Sequence, residues 1–266
     1  MNNRSLLVLD KRITISGLTF YYKLVGDIKN PPLVFLHGHP MPHVPAVTID
    51  FTNVLLEFAK YFYVIAPEQI GTMRSSPALK PITMKDRAKI VYKLLDKLEI
   101  QEAIVAGQSY GGRVATSFAL AYPSKVIELI LIDSTTTYQT IKYFWLLRLR
   151  FWIYKTVITL PLPLSIKRKL FYFSSYSKNL NLSEMRNYLT QVHPDDYDSV
   201  GLEYSDIKAP TLLIWGKSDR ITPLKYAFKL KKDIPNSILI LVDGGHTVLY
   251  EKPHVVIKEI MRNLNN

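Results

Sequence analysis

AIVAGQSYGGRVATSFALAY (103–122) passes from an apolar strand to a helix with only Gln108 and Ser109 between them. AIVAG is a near-continuous apolar run, and YGGRVATSFALAY carries a helical pattern. At the junction, Gly107-Gln108-Ser109-Tyr110-Gly111 fits G-x-S-x-G. Small residues on both flanks let the chain turn sharply and hold the serine in a strained backbone with its hydroxyl exposed. The first amides of the new helix then point toward any negative charge that develops on a substrate oxygen. The flanking strand and helix give the motif its weight more than the letters do.

Working outward, short apolar runs alternate with amphipathic segments. LVFLH (33–37), YVIAP (63–67), LILID (129–133), TLLIW (211–215) and ILILV (238–242) repeat the character of AIVAG. Strands covered on both faces read this way, whereas half-exposed strands alternate. Helical patterns fit 47–60, 83–98, 110–121, 223–232 and 248–263. The alternation predicts an α/β fold with a mostly parallel sheet and helices on both faces. RITISG (12–17) and LTFYYKLVG (18–26) read as an opening antiparallel pair that turns near Gly17. From Tyr138 to Tyr204 no core-type strand appears. That region is expected to be a mostly helical cap inserted after the sixth strand. The predicted organisation is a core of 1–136 with 206–266, and a cap of 137–205.

Serine needs a base within hydrogen-bond reach to act as a nucleophile. His246, in DGGHTVLYEKP after the last core strand, is the best placed. An imidazole titrates near neutrality, so it can take the proton and later return it. A carboxylate must then fix its tautomer and stabilise the imidazolium. Asp219, in WGKSDRITP beyond the strand TLLIW, is favoured; Thr222 and Pro223 beside it also mark a helix start, which makes a capping role its plain alternative. Asp133, at the end of LILID, is a rival that could also reach the histidine.

These features together resemble the α/β-hydrolase superfamily, in the branch with an H-G-x-P loop after the third strand. His37-Gly38-His39-Pro40 matches that loop, alongside GQSYGG (107–112), WGKSDRITP (215–223) and GGHTVLYEKP (244–253). The resemblance covers the chain apart from the cap. It implies an oxyanion hole formed by the backbone amides of Tyr110 and His39, with His37 shaping the loop. Two stretches depart from the family pattern: Met73 stands where a glycine is usual, and Met41, Pro42, His43 and Val44 crowd the position after H-G-x-P. Relatives that open epoxides or remove halides use aspartate as the nucleophile, so Ser109 points instead to an acyl-enzyme route. The resemblance thus implies hydrolysis of an ester, thioester, amide or lactone, or of a carbon–carbon bond next to a carbonyl. A cofactor-free perhydrolase and a ligand-binding receptor of the same fold are the alternatives.

Composition narrows the rest. The chain has 266 residues, and the absence of cysteine excludes disulfides and thiolate metal sites. His37, His39 and His43 share a loop without a carboxylate at ligand spacing, so no metal and no cofactor are expected. The net charge of +12 reads as a Lys-rich solvated surface, and no nucleic-acid motif appears. Asp10 and Lys11 interrupt the N-terminal apolar run, so no signal peptide is read, and a cytoplasmic protein, monomeric or homodimeric, is expected. IKYFWLLRLRFWIYKTVITL (141–160) is apolar nearly all round; Arg148 and Lys155 share a helical face but Lys142 and Arg150 do not, so a clean polar stripe is missing. It is expected to pack as a lid, with Phe144, Trp145 and Trp152 lining a pocket for a small apolar acyl or aromatic substrate. Membrane-surface attachment or dimerisation through this stretch is the second reading. Pro161 and Pro163 should end the helix.

Overall fold

In the computed structural model, residues 7–38, 51–70, 74–76, 83–136, 149, 152–153, 156–157, 159–171 and 203–264 are described. The strands are β1 (Leu9–Ile15), β2 (Leu18–Val25), β3 (Pro32–Leu36), β4 (Tyr63–Pro67), β5 (Ala103–Gln108), β6 (Val126–Ile132), β7 (Thr211–Gly216) and β8 (Ser237–Val242). Among the described residues they form one sheet in the order β1-β2-β4-β3-β5-β6-β7-β8. β1 pairs antiparallel with β2, and β2 with β4; every other pairing is parallel. The turn between β1 and β2 falls at Ser16 and Gly17, both with positive φ.

The core strands are apolar on both faces because helices cover both. Val34, Leu36, Val105, Leu131, Leu213 and Trp215 pack toward α2 (Met84–Lys97), α3 (Tyr110–Ala121) and α5 (Leu224–Asp233). Their strand neighbours Leu33, Phe35, Ile104, Ala106, Ile130 and Ile214 pack toward α1 (Thr52–Phe58), α6 (Val248–Glu251) and α7 (Pro253–Leu264). Each such Val, Leu, Ile or Phe side chain stabilises the fold by roughly 1.5–3 kcal/mol relative to its exposed state. Side chains alternate across a strand, so an all-apolar run serves two cores at once.

Two expected helices differ in detail. The single helix read over 248–263 is two, because Lys252 leaves helical geometry (φ −137°, ψ 54°) before Pro253, which has no amide hydrogen to continue the ladder. Of the helix read over 47–60, Thr52–Phe58 is observed, and 39–50 lies outside the described residues. The insertion falls between the end of β6 at Ile132 and the start of β7 at Thr211, and α4 (Leu164–Phe171) lies within it. Most of the expected cap, 137–205, is outside the described residues. Among the described residues no helix is long and apolar enough to cross a membrane.

Candidate active site

Ser109 occupies the turn from β5 into α3 with φ 51° and ψ −119°. L-residues avoid that region at a cost of about 1–3 kcal/mol, and it persists only where the surroundings enforce it. Here the Ser109 amide donates to the Ile132 carbonyl at 2.9 Å, while its carbonyl accepts from Gly112 and Thr135, each at 3.0 Å. Glycine is required at position 111 because a Cβ there would overlap the Leu36 carbonyl. The sharp turn therefore exists because α3 starts against the end of β3.

His246 Nε2 lies 2.9 Å from Ser109 Oγ, and His246 Nδ1 lies 2.9 Å from Asp219 Oδ2. The loops after β7 and β8 bring these groups together. The Ser218 amide donates to the Gly244 carbonyl at 2.9 Å, and Trp215 Nε1 anchors the first loop by donating to the Thr222 carbonyl at 2.6 Å. A side chain at Gly216 would strike the Gly245 carbonyl, which lets the two loops touch. Asp219 Oδ1 accepts the amides of Ile221 and Thr222, each at 2.8 Å, and Oδ2 accepts the Thr222 hydroxyl. Burial works against ionisation of this carboxyl, but the His246 imidazole and the Thr222 donors outweigh it and hold it below the usual aspartate value. An ionised Asp219 fixes a hydrogen on Nδ1 and leaves Nε2 free to accept the serine proton. Gln108 adds a support that no sequence signal revealed: its Nε2 donates to the His246 carbonyl at 3.1 Å, and Tyr250 donates its hydroxyl to Gln108 Oε1 at 3.2 Å.

Asp133, the rival acid, sits just past β6 with φ 44° and is wholly buried. Its Oδ1 accepts the Gly216 amide at 2.7 Å, and its Oδ2 is sealed off with no donor. Burial pushes the carboxyl up to about 8; the Gly216 amide opposes this, and the nearby charges of Asp219 and Glu251 add to it. With a pKa near 8 Asp133 holds its proton at neutral pH, and the carboxylate in hydrogen-bond contact with His246 is that of Asp219.

The alpha/beta hydrolase fold family matches residues 31–253 of this chain. The chain belongs to that family. It is 24% identical over 266 residues to the uncharacterized hydrolase YugF of Bacillus subtilis, covering 94% of this chain and 96% of that one. It is 27% identical over 243 residues to a 2-hydroxy-6-oxononadienedioate/2-hydroxy-6-oxononatrienedioate hydrolase of Burkholderia vietnamiensis, covering 84% and 83%. Among solved structures, the alpha/beta hydrolase MGS-M2 from a Medee basin deep-sea metagenome superposes with a TM-score of 0.74 at 20% identity, over 96% of this chain and 98% of that one. The chain is thus a hydrolase of the alpha/beta fold.

His37 and Gly38, the described half of the H-G-x-P motif, are tied to the start of the loop after β4. The Nε2 of His37 accepts the Gln69 amide at 3.1 Å, so the ring hydrogen sits on Nδ1, 2.7 Å from the Gly38 carbonyl. The ring stacks on Phe51, and burial lowers its pKa to about 4, which keeps the imidazole neutral. Tyr110 is buried at the first position of α3. His39, Phe144 and Trp145 lie outside the described residues. Trp152 is described and is 64% exposed. Among the described residues no three His, Asp or Glu side chains are grouped to hold a metal.

Proposed function

We propose that this alpha/beta hydrolase is a serine hydrolase acting on an ester or thioester of a small apolar acyl or aromatic acid. The observation that carries the reading is the unbroken hydrogen-bonded line from Ser109 Oγ through His246 to Asp219 Oδ2. Ser109 Oγ attacks the carbonyl carbon as its proton passes to His246 Nε2. The resulting oxyanion rests on the amide of Tyr110, at the positive end of α3, with the His39 amide as second donor. Collapse of this intermediate breaks the bond to the leaving group, which takes the proton from His246. Water, deprotonated by the same imidazole, then attacks the acyl-enzyme and releases the acid. Asp219 stays ionised throughout and stabilises the imidazolium, and no step asks for a metal or cofactor.

The aromatic-rich insertion supports an apolar acyl or aryl group. A series of p-nitrophenyl esters of graded chain length tests this: rates should depend strongly on chain length, and indifference to it would reject the apolar pocket. The name of the Burkholderia relative favours a second reading on the same three residues, cleavage of a carbon–carbon bond next to a carbonyl. Turnover of a 2-hydroxy-6-oxo dienoate with no turnover of any aryl ester would select that reading.

A further inference from the structure

Thr222 is wedged, wholly buried, between the acid and the base of the site. Both of its backbone groups are fixed: its amide donates to Asp219 Oδ1 at 2.8 Å, and its carbonyl accepts from Trp215 Nε1 at 2.6 Å. A threonine just before a helix often caps it, yet α5 has Pro223 at its cap position and takes no side-chain hydrogen bond there. The hydroxyl turns to the carboxylate instead. It lies 2.5 Å from Asp219 Oδ2, and 3.2 Å from both the Asp133 carbonyl and His246 Nδ1. A hydroxyl has one hydrogen to give, and the closer, charged oxygen of Asp219 takes it. Its lone pairs are then left for the hydrogen on His246 Nδ1, which Asp219 Oδ2 also accepts at 2.9 Å.

A donor on a carboxylate oxygen takes up part of its negative charge and weakens its hold on a facing cation. The two backbone amides are spent on Oδ1, so the hydroxyl of Thr222 is the donor on Oδ2, the oxygen that faces the imidazole. We propose that Thr222 is a positioning residue: its hydroxyl takes up part of the charge on Oδ2 and limits how firmly Asp219 holds the imidazolium. The benefit rests on the serine-hydrolase reading, in which His246 must give its proton to the leaving group. Asp133, just past β6, and Tyr250 and Glu251 of α6 are the other ionisable groups coupled to this cluster, and all three stay in place when residue 222 changes.

The test is the pH dependence of kcat/KM on p-nitrophenyl butyrate for the wild type, Thr222→Val, Thr222→Ala and Thr222→Ser, whose acidic limb reports the base of the free enzyme. Without the hydroxyl the whole charge of Oδ2 faces the imidazole. The limb should therefore move to higher pH by roughly half a unit to one unit in the valine and alanine variants. Alanine stands in should valine, with its extra methyl against the carboxylate, fail to fold. Thr222→Ser keeps the hydroxyl and should keep the wild-type limb. A role in packing alone would lower the plateau and leave the limb where it is. Titration of the His246 ring nitrogens by NMR, assigned by their loss in His246→Ala, reads the same shift without substrate. A limb and a titration that stay in place or move down without the hydroxyl would overturn the proposal, and so would a serine variant that shifts as valine does. A shifted titration in a wild-type background that turns over no ester would instead remove the hydrolase reading and leave the restraint on Asp219 standing.

Discussion

At the end of β6, Asp133→Asn replaces a carboxyl that must hold a proton by an amide that always carries its hydrogens. The wild-type group moves from an ordinary 3.8 in the unfolded chain to about 8 in the fold, chiefly through burial. Between those pH values the folded chain keeps a proton that the unfolded chain has released. Stability from this group therefore falls as pH rises, by about 1.4 kcal/mol per pH unit. Below about 4 both states are protonated and above about 8 neither is, so the slope vanishes outside the window. Across it the loss sums to about 6 kcal/mol. The substituted amide does not titrate, so the variant should gain on the wild type steadily, from near equality in acid to about 6 kcal/mol at the top of the window. His37, lowered to about 4, and Glu128, raised to about 7, contribute equally to both proteins and cancel in the difference. Urea unfolding of the pair at about pH 5, 6.5 and 8 measures this directly. A difference that stays flat with pH would refute a protonated Asp133.

Other substitutions probe the turn and the base. Ser109→Gly should remove hydrolysis yet raise stability by about 1 kcal/mol, since glycine adopts positive φ freely; a clear loss of stability in urea melts would contradict strain at this residue. Gly111→Ala drives a methyl into the Leu36 carbonyl and should cost about 1–3 kcal/mol or more in the same assay. Asp219→Asn should lower kcat about ten-thousandfold by allowing the wrong tautomer of His246, with folding intact; a loss below about tenfold would shift the orienting role to Asp133.

The core strands were legible because each is apolar without interruption, and the three site residues because each stands one turn or loop beyond such a strand. The antiparallel opening pair was legible from Gly17, where the turn indeed falls. The periodicity of 248–263 runs through Pro253, so the break at Lys252 was missed. Asp133 could be named but not its protonation, which depends on its burial in the folded chain and on the charges of Asp219 and Glu251 far along the sequence. The Tyr250–Gln108–His246 support depends on α6 meeting the end of β5, which no local pattern encodes.

The most direct test of Ser109 as a nucleophile activated by His246 is covalent labelling with a fluorophosphonate probe. The wild type should label rapidly, Ser109→Ala should not label, and His246→Ala should label far more slowly. Equal labelling of all three proteins would contradict the account.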